Sequence, residues 1–213
     1  MTLISRLVNK MVDKVVSGMD RLHVLVIGPG LGRCPLVLKA TAKIIKTAMN
    51  RQLPLILDAD GLFLLTLKEN ENLLQGYDRV ILTPNVVERK RLAPLIDDND
   101  DFPLRKAVIV EKGPIDIISL GGTDKFYECT EEGGLKRSGG LGDILSGTIG
   151  TLAAWNAIQD HSTTQDLPLA CWTACCFTKR ATRLAYDEQK RSMTAPDVLS
   201  ALGSAVNDMT GDN

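Results

Sequence analysis

A cluster of glycines and one carboxylate lies at the start of an apolar helical run. In RSGGLGDILSGT (137–148), Asp143 follows the glycines at 139, 140 and 142. Consecutive glycines let backbone N–H groups converge on one point, and a helix that begins there adds the positive end of its dipole. Both features suit an anionic phosphoryl group, beside which Asp143 would take or orient the proton of an attacking hydroxyl. A glycine-rich turn with an aspartate favoured by the helix dipole is the simpler alternative.

The other chemistry-bearing stretches each follow a predicted strand. Continuous apolar runs predict four strands that are buried on both faces, within 23–28, 54–61, 79–84 and 106–113. They lead into GPGLGR, DADG, TPNVVE and EKGPID, in that order. Because ligands of α/β folds bind beyond the carboxyl ends of the strands, these stretches are predicted to meet in one site.

Each of these stretches has two interpretations when it is taken alone. GPGLGR is either a backbone-lined pocket wall or a tight turn, and it lacks the GxGxxG spacing. Asp58 and Asp60 either bind Mg²⁺ or serve capping and turn roles, and the latter roles are favoured for at least one of them. Asn85 and Glu88 either read polar substrate groups or Mg²⁺ waters, or belong to a capped, solvated helix. Lys112 suits a phosphate contact, although a Lys-Gly pair at a turn usually has no such role.

The order of the predicted elements defines the fold class. Helices are predicted between the strands, one of them from about Pro35 to Asn50, and a hairpin is predicted at Gly121-Gly122. From Gly142 onward the pattern is helical, and Thr194 is a plausible N-cap of the last helix. Strands that alternate with helices imply an α/β layered fold with a mainly parallel central sheet flanked by helices. We expect a single domain over 1–213, since no repeat or linker divides the chain.

Composition excludes several classes of partner. The net charge of −1 gives no electrostatic case for nucleic acid or an anionic membrane, and no apolar run reaches the length of a membrane span. His23 and His161 are far apart and the cysteines lack ligand spacing, so no metal site built from histidines or cysteines is predicted. Free thiols indicate a reducing, cytoplasmic location. The N-terminal amphipathic helix, closed by Gly18, is expected to be part of the domain, and a mitochondrial presequence is the alternative.

Taken together, the ordered stretches VIGPGLGR, LILDADGL, VILTPNVVE, VIVEKGPIDII and RSGGLGDILSGTIGTLAAW resemble the ATP-dependent NAD(P)H-hydrate dehydratases of the ribokinase-like superfamily. The resemblance covers about residues 20–206 and is closer to the eukaryotic form. It implies a repair enzyme that uses ATP, with Mg²⁺, to phosphorylate the hydroxyl of the hydrates of NADH and NADPH (NADHX and NADPHX). Loss of phosphate then restores the reduced cofactor. The S-epimer of the hydrate is the implied substrate.

The resemblance also implies roles for particular residues. Asp143 would be the catalytic base and would contact the substrate. The other implied substrate contacts are Gly32, Asn85, Val86, Val87, Glu88, Arg89, Lys90 and Arg91. The implied ATP contacts are Lys112, Gly113, Pro114, Ile115, Asp116, Gly133, Gly134, Leu135, Lys136, Arg137, Ser138, Gly139, Gly140, Leu141 and Gly142.

The chain departs from the family pattern at its amino-terminal side. The family begins with a glycine-rich strand and a YTGAP-like segment before the position of Asp20, and this chain lacks both. The resemblance therefore implies a ribokinase-like fold without its N-terminal strands, whose exposed sheet edge would favour either self-association into a homo-oligomer or poor solubility. Leu141, Ser138 and Arg89 stand where the eukaryotic form has a glutamine, a cysteine and usually an aromatic residue. Two alternative functions stay open: an impaired form that binds nucleotide or a partner subunit, and a small-molecule kinase of the same superfamily.

Overall fold

The computed structural model describes residues 3–96, 102–121, 124–159 and 163–211. Within these ranges one sheet of six strands has the spatial order β1-β2-β3-β4-β5-β6. The first four strands are parallel, and the last two are antiparallel to their neighbours. The strands are β1 Leu25–Ile27, β2 Leu55–Leu57, β3 Val80–Leu82, β4 Val108–Glu111, β5 Asp116–Leu120 and β6 Asp124–Cys129. The predicted strands and the β5–β6 hairpin are confirmed, although Gly122 of its turn lies outside the described residues.

Helices cover both faces of the sheet. In the described part of the chain they are α1 Leu3–Val16, α2 Pro35–Asn50, α3 Asp60–Leu65, α4 Val86–Leu92, α5 Leu141–Ala157, α6 Leu167–Gln189 and α7 Ala195–Thr210. Alternate residues of β2 point to opposite sides: Leu55 and Leu57 pack with α2 and α3, whereas Ile56 packs with α5 and α6. This two-sided burial explains the continuous apolar runs, and it confirms the predicted α/β layered architecture.

Local signals in the sequence set several helix ends. Pro35 occupies the first turn of α2, where its missing N–H is not needed. At the start of α7, the Asp197 carboxylate accepts from both the backbone N–H and the hydroxyl of Thr194, as the capping prediction required. These hydrogen bonds hold the pKa of Asp197 below its ordinary value.

The amino-terminal side of the described structure has an exposed sheet edge. Among the described strands β1 pairs only with β2, and Val26 in its centre is 40% exposed. Helix α1 packs against α2, with Val8 fully buried and Asn9 Oδ1 accepting from Lys43 Nζ at 2.9 Å. The N-terminal amphipathic stretch is therefore packed on the domain. No helix in the described ranges has the length and apolar character that crossing a membrane requires.

In the turn after β2, the carboxylates do not have the capping role that the sequence favoured. The N-cap of α3 is Ala59, and no side chain caps this helix. Ala59 has φ 47° and ψ −115°, a conformation that is strained for a residue with a Cβ. The backbone thereby reverses sharply, and Asp58 becomes buried at 2% exposure while Asp60 stays partly exposed. The prediction that an aspartate side chain caps α3 is therefore wrong. Asp60 has a turn role instead, which is described with the candidate site.

Candidate functional site

The predicted site stretches meet at the carboxyl ends of the parallel strands. The backbone N–H of Lys112 donates to the Pro84 carbonyl at 2.9 Å, and Asn85 and Lys112 form an isolated parallel bridge. On the other side, the Asp58 N–H donates to the Ile27 carbonyl at 3.1 Å. The ends of β1 to β4 therefore form one continuous edge, as the sequence predicted. Thr83 Oγ1 lies buried at this edge and has no hydrogen-bond partner among the described residues.

The glycine loop approaches this edge from the start of α5. Gly140 is the N-cap of α5 and has φ +90°, which an L-residue rarely adopts. A Cβ at this position would also lie only 2.9 Å from Ala195 Cβ of α7. Asp143 lies in the first turn of α5 and is exposed, and no hydrogen bond or ion pair of its carboxylate is found within the described residues. An exposed carboxylate beside free helix N–H groups is available to a ligand that carries both a hydroxyl and a phosphate.

Directly below this turn, Asp58, Lys112 and Ser146 form a buried polar cluster. Lys112 Nζ donates to Asp58 Oδ1 at 2.7 Å, and Ser146 Oγ lies 2.7 Å from Asp58 Oδ2. The Ala59 N–H donates to Asp58 Oδ1 at 2.9 Å. A Cβ at Gly142 would lie 3.4 Å from Lys112 Nζ and 3.6 Å from Asp58 Oδ2, so the ion pair lies next to the glycine loop. The Asp58 carboxylate thus accepts from three protein donors and is 2% exposed, so this arrangement does not favour a direct Mg²⁺ contact to it.

The GPGLGR loop is fastened to α3 by Asp60. The Gly32 N–H donates to Asp60 Oδ2 at 3.0 Å and Arg33 Nε donates to Asp60 Oδ1 at 2.8 Å. The Arg33 guanidinium lies over the Phe63 ring, 4.1 Å from its centroid, where a cation–π contact is favourable. The loop is thus a tight turn whose predicted contact residue, Gly32, already uses its N–H within the protein.

The segment 85–91 is a well-capped helix start. Asn85 Oδ1 accepts from the Val87 and Glu88 N–H groups, and Glu88 Oε2 accepts from the Asn85 N–H at 2.9 Å. Val86 and Val87 are 63% and 57% exposed. Their apolar side chains therefore face solvent beside the site. The geometry satisfies the capped-helix interpretation and leaves these valines available to a ligand.

The basic residues of this segment point in different directions. Arg89 Nε pairs with Glu111 Oε1 of β4 at 2.7 Å, so Arg89 links α4 to the sheet. Arg91 and Glu88 line one small cavity with Arg33, which brings α4 beside the GPGLGR loop. Lys90 is exposed. Two predicted substrate segments are thus neighbours, while Arg89 is already paired within the protein.

A cavity of about 690 Å³ lies beside the glycine loop. The predicted ATP contacts that line it are Gly113, Pro114, Gly133, Gly134, Leu135, Lys136, Arg137 and Leu141. Gly134 is required by close approach, because a Cβ there would lie 2.4 Å from the Thr182 carbonyl oxygen. The other predicted contacts, Lys112, Ile115, Asp116, Ser138, Gly139, Gly140 and Gly142, do not line this cavity.

Sequence reasoning missed the second wall of the cavity. This wall consists of one face of α6, with Lys179, Thr182, Arg183, Tyr186 and Asp187. Their spacing of three and four residues was the signal that could have shown a shared helical face. Of the four cationic side chains that line the cavity, Arg183 pairs with the acidic Glu132 and Asp187, and Lys179 pairs with Asp116. Lys136 and Arg137 form no ion pair with an acidic side chain among the described residues, so the lining keeps a positive charge that suits an anion such as a polyphosphate.

Asp116 is held inside the protein and does not face the cavity. Its carboxylate accepts from the Gly113 N–H at 2.8 Å and pairs with Lys179 Nζ at 3.4 Å. Burial raises the pKa of the Asp116 carboxyl, an effect that the Gly113 and Lys179 contacts oppose. The Lys179 ammonium also donates to the Pro114 carbonyl oxygen. Asp116 therefore fixes the 113–116 turn and the position of Lys179.

The cysteines and histidines form no second site in the described structure. Cys171, Cys175 and Cys176 are buried free thiols, as predicted, and burial raises the pKa of each. Over residues 3–96, 102–121, 124–159 and 163–211, no group of three or more His, Cys, Asp or Glu side chains is arranged to hold a metal ion. His161 lies outside the described residues.

The fold and the candidate site together define an α/β layered protein with a large cavity beside a glycine-rich loop. A hydroxyethylthiazole kinase structure from Pyrococcus horikoshii OT3 matches the fold with a TM-score of 0.62 and 18% identity, over 91% of this chain and 74% of that one. The family model described as NAD(P)H-hydrate dehydratase matches residues 2–203. The chain therefore belongs to the NAD(P)H-hydrate dehydratase family.

Individual relatives agree with this assignment. The ATP-dependent (S)-NAD(P)H-hydrate dehydratase of Schizosaccharomyces pombe is 38% identical, over 96% of this chain and 67% of its own length. The enzyme of the same name from Rattus norvegicus is 36% identical, over 91% of this chain and 60% of its own length. The Dictyostelium discoideum enzyme is 35% identical, over 88% of this chain and 67% of its own length. The chain thus spans about two thirds of the length of these relatives, and somewhat less of the rat enzyme.

Proposed function

We propose that this protein is an ATP-dependent dehydratase that acts on the S-epimer of the hydrates of NADH and NADPH. The observation that carries the proposal is the juxtaposition of an exposed Asp143, in the first turn of α5, with the large cationic cavity beside the glycine loop. The cavity accommodates ATP, and the carboxyl edge of the sheet accommodates the hydrated dinucleotide. The names and family of the relatives support the same substrate.

The proposed reaction has two steps whose atoms balance. The ring hydroxyl oxygen of the hydrate attacks the γ-phosphorus of ATP, the bond to ADP breaks, and Asp143 accepts the hydroxyl proton. The ring C–O bond then breaks with loss of phosphate, and a proton leaves the neighbouring carbon to restore the double bond of the reduced nicotinamide. Phosphorylation is needed because hydroxide is a poor leaving group and phosphate is a good one.

The glycine loop contributes electrostatic stabilisation to the first step. Free N–H groups at the start of α5 point toward the transferring phosphoryl group, and the helix dipole adds positive potential. Lys112 Nζ, next to the same loop, adds a full positive charge. The chain thereby provides both a proton acceptor and an anion site within one turn of helix.

Mg²⁺ is expected to arrive with ATP. The ion prefers oxygen ligands and usually keeps several waters, with one or two carboxylates and the substrate phosphates as its other contacts. Because Asp143 is assigned the proton-accepting role and Asp58 is buried and hydrogen-bonded within the protein, the phosphates of ATP and water would supply most of the ligands of the ion. Bound there, the ion would neutralise charge on the phosphates.

The decisive assay follows NADH regeneration from its hydrate by absorbance, with ATP and Mg²⁺ present. We expect an ATP-dependent rise, and we expect Asp143→Asn to lower kcat by about two to four orders of magnitude, because the proton acceptor is lost. Binding of ATP, measured as thermal stabilisation, should be retained. Asp13→Asn, at an exposed position of α1, is the matched control and should behave as the unaltered chain.

Two results would contradict the proposal. Near-normal turnover by Asp143→Asn would show that this carboxylate is not the proton acceptor. A stable phosphorylated vitamin or sugar as product, without NADH regeneration, would instead assign the chain a small-molecule kinase activity.

A further inference from the structure

The buried carboxylate of Asp58 has no ligand-facing role of its own. Its side chain is 2% exposed, whereas that of its partner Lys112 is 20% exposed. A ligand in the site can therefore touch the ammonium group but not the carboxylate. A buried charge must be paired and hydrogen-bonded, and Asp58 meets this requirement with donors from two different parts of the fold.

Those donors come from two elements whose relative position matters for phosphoryl transfer, the turn after β4 and helix α5. Lys112 follows β4 and lies 54 residues from Asp58, and Ser146 belongs to α5 and lies 88 residues from it. Ser146 Oγ is also 2.6 Å from the Gly142 carbonyl oxygen. One carboxylate thus connects the cation to the helical turn that begins with the glycine loop and contains Asp143.

The Lys112 ammonium has N–H donors that are not used within the described structure. An ammonium group has three N–H donors, and one of them is used by Asp58 Oδ1. No second acceptor for Nζ is found among the described residues, and Nζ is within 3.4 Å of a Cβ position on Gly142. The two free donors are therefore available to a phosphate oxygen beside the glycine loop.

We propose that Asp58 is a positioning residue for phosphoryl transfer, which fixes the Lys112 ammonium and, through Ser146, the first turn of α5 relative to the terminal phosphate of ATP. The inference deepens the proposed function and rests on it for the reaction. Its binding component, a contact between Lys112 and phosphate, is independent of which hydroxyl receives the phosphoryl group.

The test compares Asp58→Asn, Lys112→Met and the double variant in the full chain. Affinities for ATP and for adenosine are measured by equilibrium binding, and kcat and KM by NADH regeneration. We expect Asp58→Asn and Lys112→Met each to reduce the ratio of ATP to adenosine affinity by about tenfold or more, and kcat by about 10²-fold, because an electrostatic contact to phosphate is lost. Adenosine affinity should stay within about threefold, since the nucleoside does not reach Lys112.

The double variant separates positioning from a general structural effect. If Asp58 acts through Lys112, the double variant is no worse than the more severe single variant, since both changes remove one interaction. If the losses multiply, or if Asp58→Asn keeps the ATP-to-adenosine ratio of the unaltered chain, the inference is overturned. Asp20→Asn is the matched control, because Asp20 also pairs with a cation, Arg51, but is 82% exposed and distant from the site.

Ser146→Ala provides a second route if Asp58→Asn does not fold. This variant keeps the Asp58–Lys112 pair and removes the hydroxyl that contacts both Asp58 Oδ2 and the Gly142 carbonyl oxygen, so kcat should fall about tenfold while ATP affinity is unchanged. An unchanged kcat would contradict the role of Asp58 in positioning α5. If the unaltered chain binds ATP but regenerates no NADH, the proposed function fails while the affinity ratio still decides this inference. If it binds ATP and adenosine equally, the phosphate contact is absent and the inference fails.

Discussion

Replacing Gly140 with alanine tests whether the glycine loop depends on one backbone conformation and one helix contact. At φ +90° an L-residue costs about 1–2 kcal/mol relative to glycine. The new Cβ would lie 2.9 Å from Ala195 Cβ, and overpacking of this kind costs about 1–3 kcal/mol. We therefore expect Gly140→Ala to lower the free energy of unfolding by about 2–5 kcal/mol.

The neighbouring glycine is the matched control. Gly139 has no atom within 4 Å of its Cβ position and is not among the residues with positive φ, so Gly139→Ala should change the free energy of unfolding by less than about 0.5 kcal/mol. Urea denaturation monitored by circular dichroism measures both variants. Each kcal/mol should also lower Tm by about 2–4 °C in a domain of this size.

A compensating variant separates the two contributions. Combining Gly140→Ala with Ala195→Gly removes the helix contact and leaves only the backbone strain. Measured against Ala195→Gly alone, the penalty should fall to about 1–2 kcal/mol. The reasoning is refuted if Gly140→Ala and Gly139→Ala are equally stable, or if Ala195→Gly restores nothing.

Three further predictions concern stability and the nucleotide wall. Burial raises the pKa of Tyr77 to about 12, which disfavours its ionised form in the folded state. Stability should therefore fall as pH rises from 10 to 12, by up to about 2.7 kcal/mol, and Tyr77→Phe should remove this slope in alkaline denaturation while the exposed Tyr127→Phe keeps it. Gly134→Val should weaken ATP binding about tenfold or more in equilibrium titration, because its side chain would displace α6, and native affinity would disprove the close approach. Gly203 lies in the middle of α7 on its exposed face, with open space around its Cβ position. Gly203→Ala should raise the free energy of unfolding by about 0.5–1 kcal/mol, and a lower free energy of unfolding would contradict this prediction.

Features encoded by neighbouring residues were predictable from the sequence. The bounds of α2 follow from its apolar spacing and from Pro35, and the start of α7 follows from Thr194 and Asp197. The meeting of the site stretches at one sheet edge follows from the general geometry of parallel sheets.

Features set by distant contacts were not predictable in this way. The Asp58–Lys112 pair joins residues 54 positions apart, and the sequence around each residue does not identify its partner. The α6 wall of the cavity depends on how that helix docks, and its polar spacing also fits an ordinary solvated face. Ala59 has a backbone conformation that its residue type disfavours and that the sequence does not signal. The sequence therefore favoured an ordinary helix start capped by an aspartate at this point.

The strict order of the sheet has a consequence for how the protein is made. Each described strand after β1 pairs with the strand that immediately precedes it in the chain, so the sheet can extend stepwise as the polypeptide leaves the ribosome. The GPGLGR, DADG and TPNVVE stretches are then in place early. The α6 wall and the Ala195 contact beneath Gly140 come from the last third of the chain. The nucleotide cavity can therefore be completed only after α6 has been synthesised, and ATP bound there would mark a molecule whose synthesis has passed α6.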